Sequence, residues 1–248
     1  VIHYKTDEQL RLIRKAGRIV AGCHAEIAKR LRPGATTLEI DRFAEEYMRS
    51  HGAKPAQKGY KGYPFATCAS AGDVVCHGFP RDVPLREGEI VTIDMVAELN
   101  GWMADSAWTY AVGKVSPELE RLMNATKHAL YQGIAQARAG KRIGDIGHAV
   151  QQVAEAEGYA VVDAFIGHGI GRRMHEDPQV HHTGKPGKGK KLAPGMVITI
   201  EPIFVIGNPD FSIEQDGWTA RTMDGSIGAQ FEHTVAIKDG EAAILTKT

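Results

Sequence analysis

A block of ten residues occurs twice in this chain. Leu85-x-x-Gly88-x-Ile-Val-Thr-Ile-Asp94 returns 107 residues later as Leu192-x-x-Gly195-x-Val-Ile-Thr-Ile-Glu201. Upstream, Arg32-Pro-Gly34 followed by Glu39-Ile40 returns as Arg138-Ala-Gly140 followed by Asp145-Ile146, at an offset of 106. Two independent matches at nearly one spacing mark an internal duplication. The period is too long for a solenoid, whose units run to about 20–50 residues. It points to one domain, 1–248, made of two similar halves at roughly 6–110 and 116–237. The halves would face each other across a pseudo-two-fold, and each would deliver one acid, Asp94 or Glu201, to the centre.

The elements of each half are legible. Thr6-Asp-Glu-Gln9 is a capping box, in which side chain and backbone satisfy each other's orphan groups. Apolar residues follow at helical spacing, from Leu10 through Leu31, until Pro33-Gly34. Thr36-Thr-Leu-Glu39 opens a second helix, through about His51. Ser116-Pro117 starts a third, with Ser as cap and Pro in the first turn, running to about Arg138. A fourth spans about Ile143–Glu157. Gly52 to Gly62 reads as a loop, and strands are expected near Ala66–Ser70 and Val74–His77. The class is α+β, each half supplying two helices and then antiparallel strands.

Ile90 to Tyr110 is the clearest hairpin. Two alternating strands flank Asn100-Gly101, which supplies both φ > 0 positions of a tight turn. Counting back from that turn, Leu99 faces Trp102, Val96 faces Asp105 and Asp94 faces Ala107. Side chains alternate along a strand, so Asp94 and Asp105 share a face as diagonal neighbours, roughly 7–8 Å apart at the backbone.

Further polar residues join them. Phe165-Ile-Gly-His168-Gly-Ile-Gly171 brings backbone close to an imidazole, and His175 follows seven residues later. Glu232 sits inside an alternating apolar strand with Phe231, Val235 and Ile237. A buried Glu without a partner is costly, so a cation or a hydrogen-bond network should await it. The candidate site is therefore Asp94, Asp105, His168, Glu201 and Glu232. Oxygen-rich ligation with one nitrogen suits Mn, Fe, Co or Zn. Four clustered carboxylates repel unless about two dications neutralise them. Two such ions can share a hydroxide, because metal binding lowers the pKa of water to roughly 7. That is a hydrolase's machinery.

Composition narrows the class. Thirty basic residues balance thirty acidic ones, which gives no reason to expect nucleic acid or a membrane surface as partner. No apolar run approaches the ~20 residues of a bilayer span, and the first residues lack a signal peptide's apolar core. Cys23, Cys68 and Cys76 form a sparse, odd set, as expected of a reduced, cytoplasmic protein.

The chain resembles the type I methionine aminopeptidases of the pita-bread (creatinase-like) fold, in their short bacterial form. The likeness runs through nearly the whole sequence. It rests on Val75-Cys-His77-Gly78, Ile93-Asp94, Asp105-Ser106, Gly167-His168-Gly-Ile-Gly171, His175-Glu-Asp-Pro178, Thr199-Ile-Glu201-Pro202 and Gln230-x-Glu232-His233-Thr. The resemblance implies a metalloaminopeptidase that removes N-terminal Met from peptides and nascent chains when the second residue is small. It implies that Asp94 chelates one metal, that Asp105 and Glu232 bridge two, and that His168 and Glu201 complete the other. Glu201 would also be the general base. His77 and His175 would contact the scissile peptide, and Tyr60, Tyr63, Cys68 and Trp218 would line the methionine pocket. Two departures stand out: Ala104-Asp105-Ser106 replaces the usual Gly-Asp-Thr, and Met174 stands where an aromatic is common. The zinc-finger extension and helical insert of other members are not in this sequence, and a monomer is expected.

Two decoys are set aside. Gly184 to Lys190 has phosphate-loop spacing, but Lys191 follows instead of Ser or Thr, so a solvated loop is expected. Its lysines suggest a transient ribosome contact. Cys76 beside His77 resembles a thiol-protease pair, but neighbours on a strand point to opposite faces.

Overall fold

The computed structural model describes residues 1–247. Four helices, α1 (Asp7–Ala28), α2 (Thr37–Ser50), α3 (Pro117–Gln136) and α4 (Ile143–Glu157), pair as α1 with α2 and α3 with α4. The expected capping box at Thr6 forms, and α2 opens on a second one at Thr36. The Thr6 hydroxyl accepts from the Gln9 N–H at 3.3 Å, and the Thr36 hydroxyl accepts from the Glu39 N–H at 3.1 Å. α1 ends at Ala28, short of Pro33-Gly34, yet Leu31 still buries its side chain.

The repeat recurs in the hydrogen bonds. The Gly34 N–H donates to the Leu85 carbonyl, and the Gly140 N–H donates to the Leu192 carbonyl. The Leu85 N–H returns a bond to Ala35, as the Leu192 N–H does to Lys141. Gly88 and Gly195 take φ of 89° and 87°, a region that favours glycine, and this explains the shared Leu-x-x-Gly prefix.

The hairpin pairs Ile90–Leu99 with Trp102–Ala111 in the register read from its turn, Val96 opposite Asp105 and Asp94 opposite Ala107. Strand Cys68–Ala71 pairs along the other edge of Ile90–Leu99, with Cys68 beside Asp94. In the second half, Val197–Ile200 lies in a five-stranded sheet between His233–Ala236 and Gly167–Gly169, and Glu176–Val180 forms the far edge. The stretch around His168, legible only as Gly-rich, is thus a strand. Its glycines are required by proximity: a Cβ on Gly167 would lie 2.4 Å from the Thr199 carbonyl oxygen, and one on Gly169 would lie 2.1 Å from that of Asp177.

Burial decides where the acids point. Val91, Ile93 and Met95 pack into a core with Val20, Ile27 and Met48 of α1 and α2. Ile198 and Ile200 pack into another with Leu130 and Ile146 of α3 and α4. Each fully buried aliphatic side chain contributes about 1.5–3 kcal/mol. Because a strand alternates, covering the odd face of one and the even face of the other turns Asp94 and Glu201 away from the helices. No helix among the described residues is long and apolar enough to cross a membrane.

Candidate active site

The two sheets meet along Trp102–Ala111 and residues 228–236. The Glu232 N–H donates to the Ala107 carbonyl at 2.8 Å, and the Ser106 hydroxyl donates to the Glu232 carbonyl at 2.9 Å. These bonds set Glu232 beside Asp105. The serine that replaces the usual threonine therefore keeps a structural hydroxyl, and Ala104 is fully buried opposite Ala97.

Asp105, His168 and Glu232 each offer a donor atom, and the three atoms lie within 4.8 Å of one another. They form a potential metal site. Asp94 and Glu201 flank it, close enough that the charges of Asp94 and Asp105, and of Glu201 and Glu232, act on one another. His168 Nε2 lies 3.7 Å from Asp105 Oδ2 and 3.6 Å from Glu201 Oε1. All five residues anticipated from the sequence are brought together.

The donor set fits divalent cations. Asp105 Oδ1 and Glu232 Oε1 are buried with no hydrogen-bond partner, an arrangement that costs free energy unless a cation meets them. His168 Nδ1 lies 2.9 Å from the Gly169 carbonyl, which assigns its proton to Nδ1 and leaves the Nε2 lone pair facing the carboxylates. Burial pushes all four carboxyls upward, and mutual repulsion adds to this at Asp105, Glu201 and Glu232. Burial also lowers His168 to about 3, with a smaller contribution from His175, so the imidazole is neutral and free to coordinate.

Above this cluster lies a cavity of about 350 Å³. It reaches Asp94, Asp105, His168 and Glu201, whereas Glu232 lies beneath its floor, 1% exposed. Tyr60, Tyr63, Cys68 and Trp218 all line it, together with His77 and His175. The Tyr63 and Trp218 rings meet edge to face at 5.1 Å. The Tyr60 hydroxyl lies 2.8 Å from His175 Nδ1, and the His175 ring stands edge-on to His168 at 4.4 Å. Met174 also lines the wall. Burial depresses His77 to about 4, so it is neutral at physiological pH.

One expectation is corrected. Cys76 and His77 both line the cavity, although strand alternation would separate them. The strand ends at Cys76 and His77 takes φ of 53°, which breaks the alternation. They do not make a thiolate pair, since burial holds the Cys76 thiol well above its usual range.

The loop at 184–191 follows its expectation. Ile143 and Gly144 at the start of α4 donate to the Lys190 and Lys188 carbonyls, and no helix follows the loop. The Gly187 N–H donates to the Asp145 carboxylate in the first turn of α4 at 2.8 Å, so the loop packs on the start of a helix that precedes it in the chain, unlike a phosphate loop.

A family model for metallopeptidase family M24 matches residues 11–239. The sequence is 43% identical to methionine aminopeptidase 1 of Bacillus subtilis over 98% of both chains. The chain belongs to metallopeptidase family M24, among its type I methionine aminopeptidases. It is 44% identical to the methionine aminopeptidase of Clostridium perfringens over 99% of both chains. It superposes on the crystal structure of methionine aminopeptidase from Thermotoga maritima with a TM-score of 0.98, at 39% identity over all of both chains. The fold is the family's pita-bread arrangement.

Several residues of this aminopeptidase site escaped the sequence. Gln57 donates to Asp94 Oδ1 at 3.3 Å from a loop with no periodic signal. Phe165 meets His77 edge to face at 5.3 Å. The Thr199 hydroxyl donates to Glu201 Oε1 at 2.7 Å and accepts from the His168 N–H at 3.0 Å. Only its place in the Thr-Ile-Glu ending hinted at that role.

Proposed function

We propose that this aminopeptidase hydrolyses N-terminal methionine from peptides and nascent chains whose second residue is small, with the five clustered residues holding two divalent ions. One observation carries the reading. Four clustered carboxyls and a neutral imidazole, drawn from both halves, lie at the base of a cavity walled by aromatic and sulfur-bearing side chains. In this assignment Asp94 would serve one ion and His168 and Glu201 the other, with Asp105 and Glu232 available to both. Co, Mn, Fe and Zn all suit the donor set. When bound, such ions supply Lewis acidity and a water of lowered pKa.

The chain's own residues do the rest. Glu201 takes the proton from the attacking water and returns it to the leaving amine. His77 and His175 donate hydrogen bonds toward the oxygen that gains charge as the scissile carbonyl becomes tetrahedral. For His175, a Tyr60 hydroxyl donating to Nδ1 leaves the Nε2 proton for the substrate. Tyr60, Tyr63, Cys68 and Trp218 grip the thioether, for which polarizable and aromatic walls are suited.

We take the chain as one catalytic domain with an internal repeat, acting as a monomer in the cytoplasm. Three free thiols favour a reducing compartment. The exposed Lys185, Lys188, Lys190 and Lys191 offer a ribosome contact, and ribosome affinity that survives their neutralisation would remove it.

The test is release of Met from Met-Ala-Ser, beside Leu-Ala-Ser and Met-Pro-containing controls, in chelator and then with Mn²⁺, Co²⁺ or Fe²⁺ restored. Metal-restored cleavage confined to the Met-Ala peptide is expected. No cleavage under any metal would assign the fold to a binding role.

A further inference from the structure

We infer that His182 is a positioning residue for Glu201, acting through the Glu201 backbone amide; this rests on the reading of Glu201 as the general base. His182 is fully buried, yet it does not line the catalytic cavity. Its Nε2 accepts the Glu201 N–H at 2.9 Å. Strand Val197–Ile200 ends one residue earlier, so this amide has left the sheet ladder and takes a side chain as its acceptor. An acceptor Nε2 places the ring proton on Nδ1.

The segment that carries His182 is itself held on two sides. The Asp163 carboxylate accepts from the His182 N–H at 2.8 Å and from the Thr183 hydroxyl at 2.7 Å. On the other side, Gly147 of α4 approaches so closely that a Cβ there would lie 2.3 Å from the Thr183 carbonyl oxygen. Glu201 is thereby fixed at both ends, its carboxylate by Thr199 and its backbone by His182. Freeing the backbone end lets the carboxylate drift from His168, and a displacement of about 1 Å costs on the order of 100-fold in rate.

The experiment compares His182→Gln with His182→Asn. Both bury an amide of similar polarity. Gln reaches the Nε2 position and can still accept from Glu201, whereas Asn is one methylene too short. His182→Gln should keep kcat within about threefold of wild type, and His182→Asn should lose on the order of 100-fold. KM for Met-Ala-Ser should change by no more than about twofold in either, the pattern of an interaction that acts on the reacting geometry. In the metal-free protein, hydrogen exchange at the Glu201 amide should stay slow in the Gln variant and become fast in the Asn variant. Equal losses in the two variants, or equal protection of that amide, would overturn the proposal.

A measurement on the unmodified protein stands behind these variants if either fails to fold. Scalar coupling across the hydrogen bond, from the Glu201 amide nitrogen to His182 Nε2, is expected by NMR, and its absence overturns the geometry. Failure of the underlying reading looks different. Glu201→Gln would then retain turnover while the coupling persists.

Discussion

The Thr234 hydroxyl bonds the backbone of Asp105 twice, accepting from its N–H at 3.0 Å and donating to its carbonyl at 2.8 Å. The two residues are 129 positions apart and lie in different sheets. Asp105 thus holds its place through a partner in the opposite half. The same joint aligns Glu232, two residues before Thr234.

Thr234→Val should cut this joint while keeping shape. It leaves two buried backbone groups unpaired, at a cost of about 1–3 kcal/mol each. Denaturant unfolding should show the loss, and calorimetry should show weaker metal binding. Thr234→Ser should recover most of both. A valine variant as stable as the parent would mean that packing alone joins the sheets.

Glu201→Gln should abolish turnover, because an amide cannot take the proton from water. Rates near wild type would remove its role as base.

His175→Ala should reduce kcat by about 10²–10³-fold, the usual loss for one donor to a developing oxyanion. Metal content measured on the purified variant should not change. If occupancy fell with the rate, His175 would be a ligand.

Metal addition should raise the melting temperature more at pH 8 than at pH 5. Burial raises the folded-state pKa of Asp94, Asp105, Glu201 and Glu232 above their ordinary values. A raised carboxyl contributes stability below its unfolded pKa and loses that contribution as pH climbs through the folded value. The metal-free protein therefore carries its largest carboxylate penalty at alkaline pH, where cations also meet less competition from protons. The buried histidines run the other way. His77 and His168 are depressed, so their contribution is complete above their ordinary pKa and is lost toward about 4 and 3. Melting curves at the two pH values, with and without Mn²⁺, check the sign.

Gly169→Ala should destabilise the chain and lower activity together. The new Cβ would sit 2.1 Å from the Asp177 carbonyl oxygen, backbone that cannot swing aside. Overpacking of this kind costs about 1–3 kcal/mol. Unaltered activity with a lowered melting temperature would separate this strand's packing from the position of His168.

The sequence by itself determined what is local or periodic. A two-residue turn set the register that places Asp94 and Asp105 on one face. Capping residues at Thr6, Thr36 and Ser116 carried the helix starts, and the Leu-x-x-Gly blocks carried the equivalence of Asp94 with Glu201. The residue types Asp, Glu and His gave the donor chemistry. Only the tertiary structure decided what surrounds them. Gln57 on Asp94, Thr234 on Asp105 and His182 on the Glu201 amide are contacts of one or two hydrogen bonds spanning 19 to 129 positions, and such bonds leave no period in the chain. His77 needed the structure as well, since its positive φ broke the alternation by which a strand residue is assigned a face. Periodicity records which face of an element is buried, whereas the partner of a polar atom is fixed by how whole elements dock.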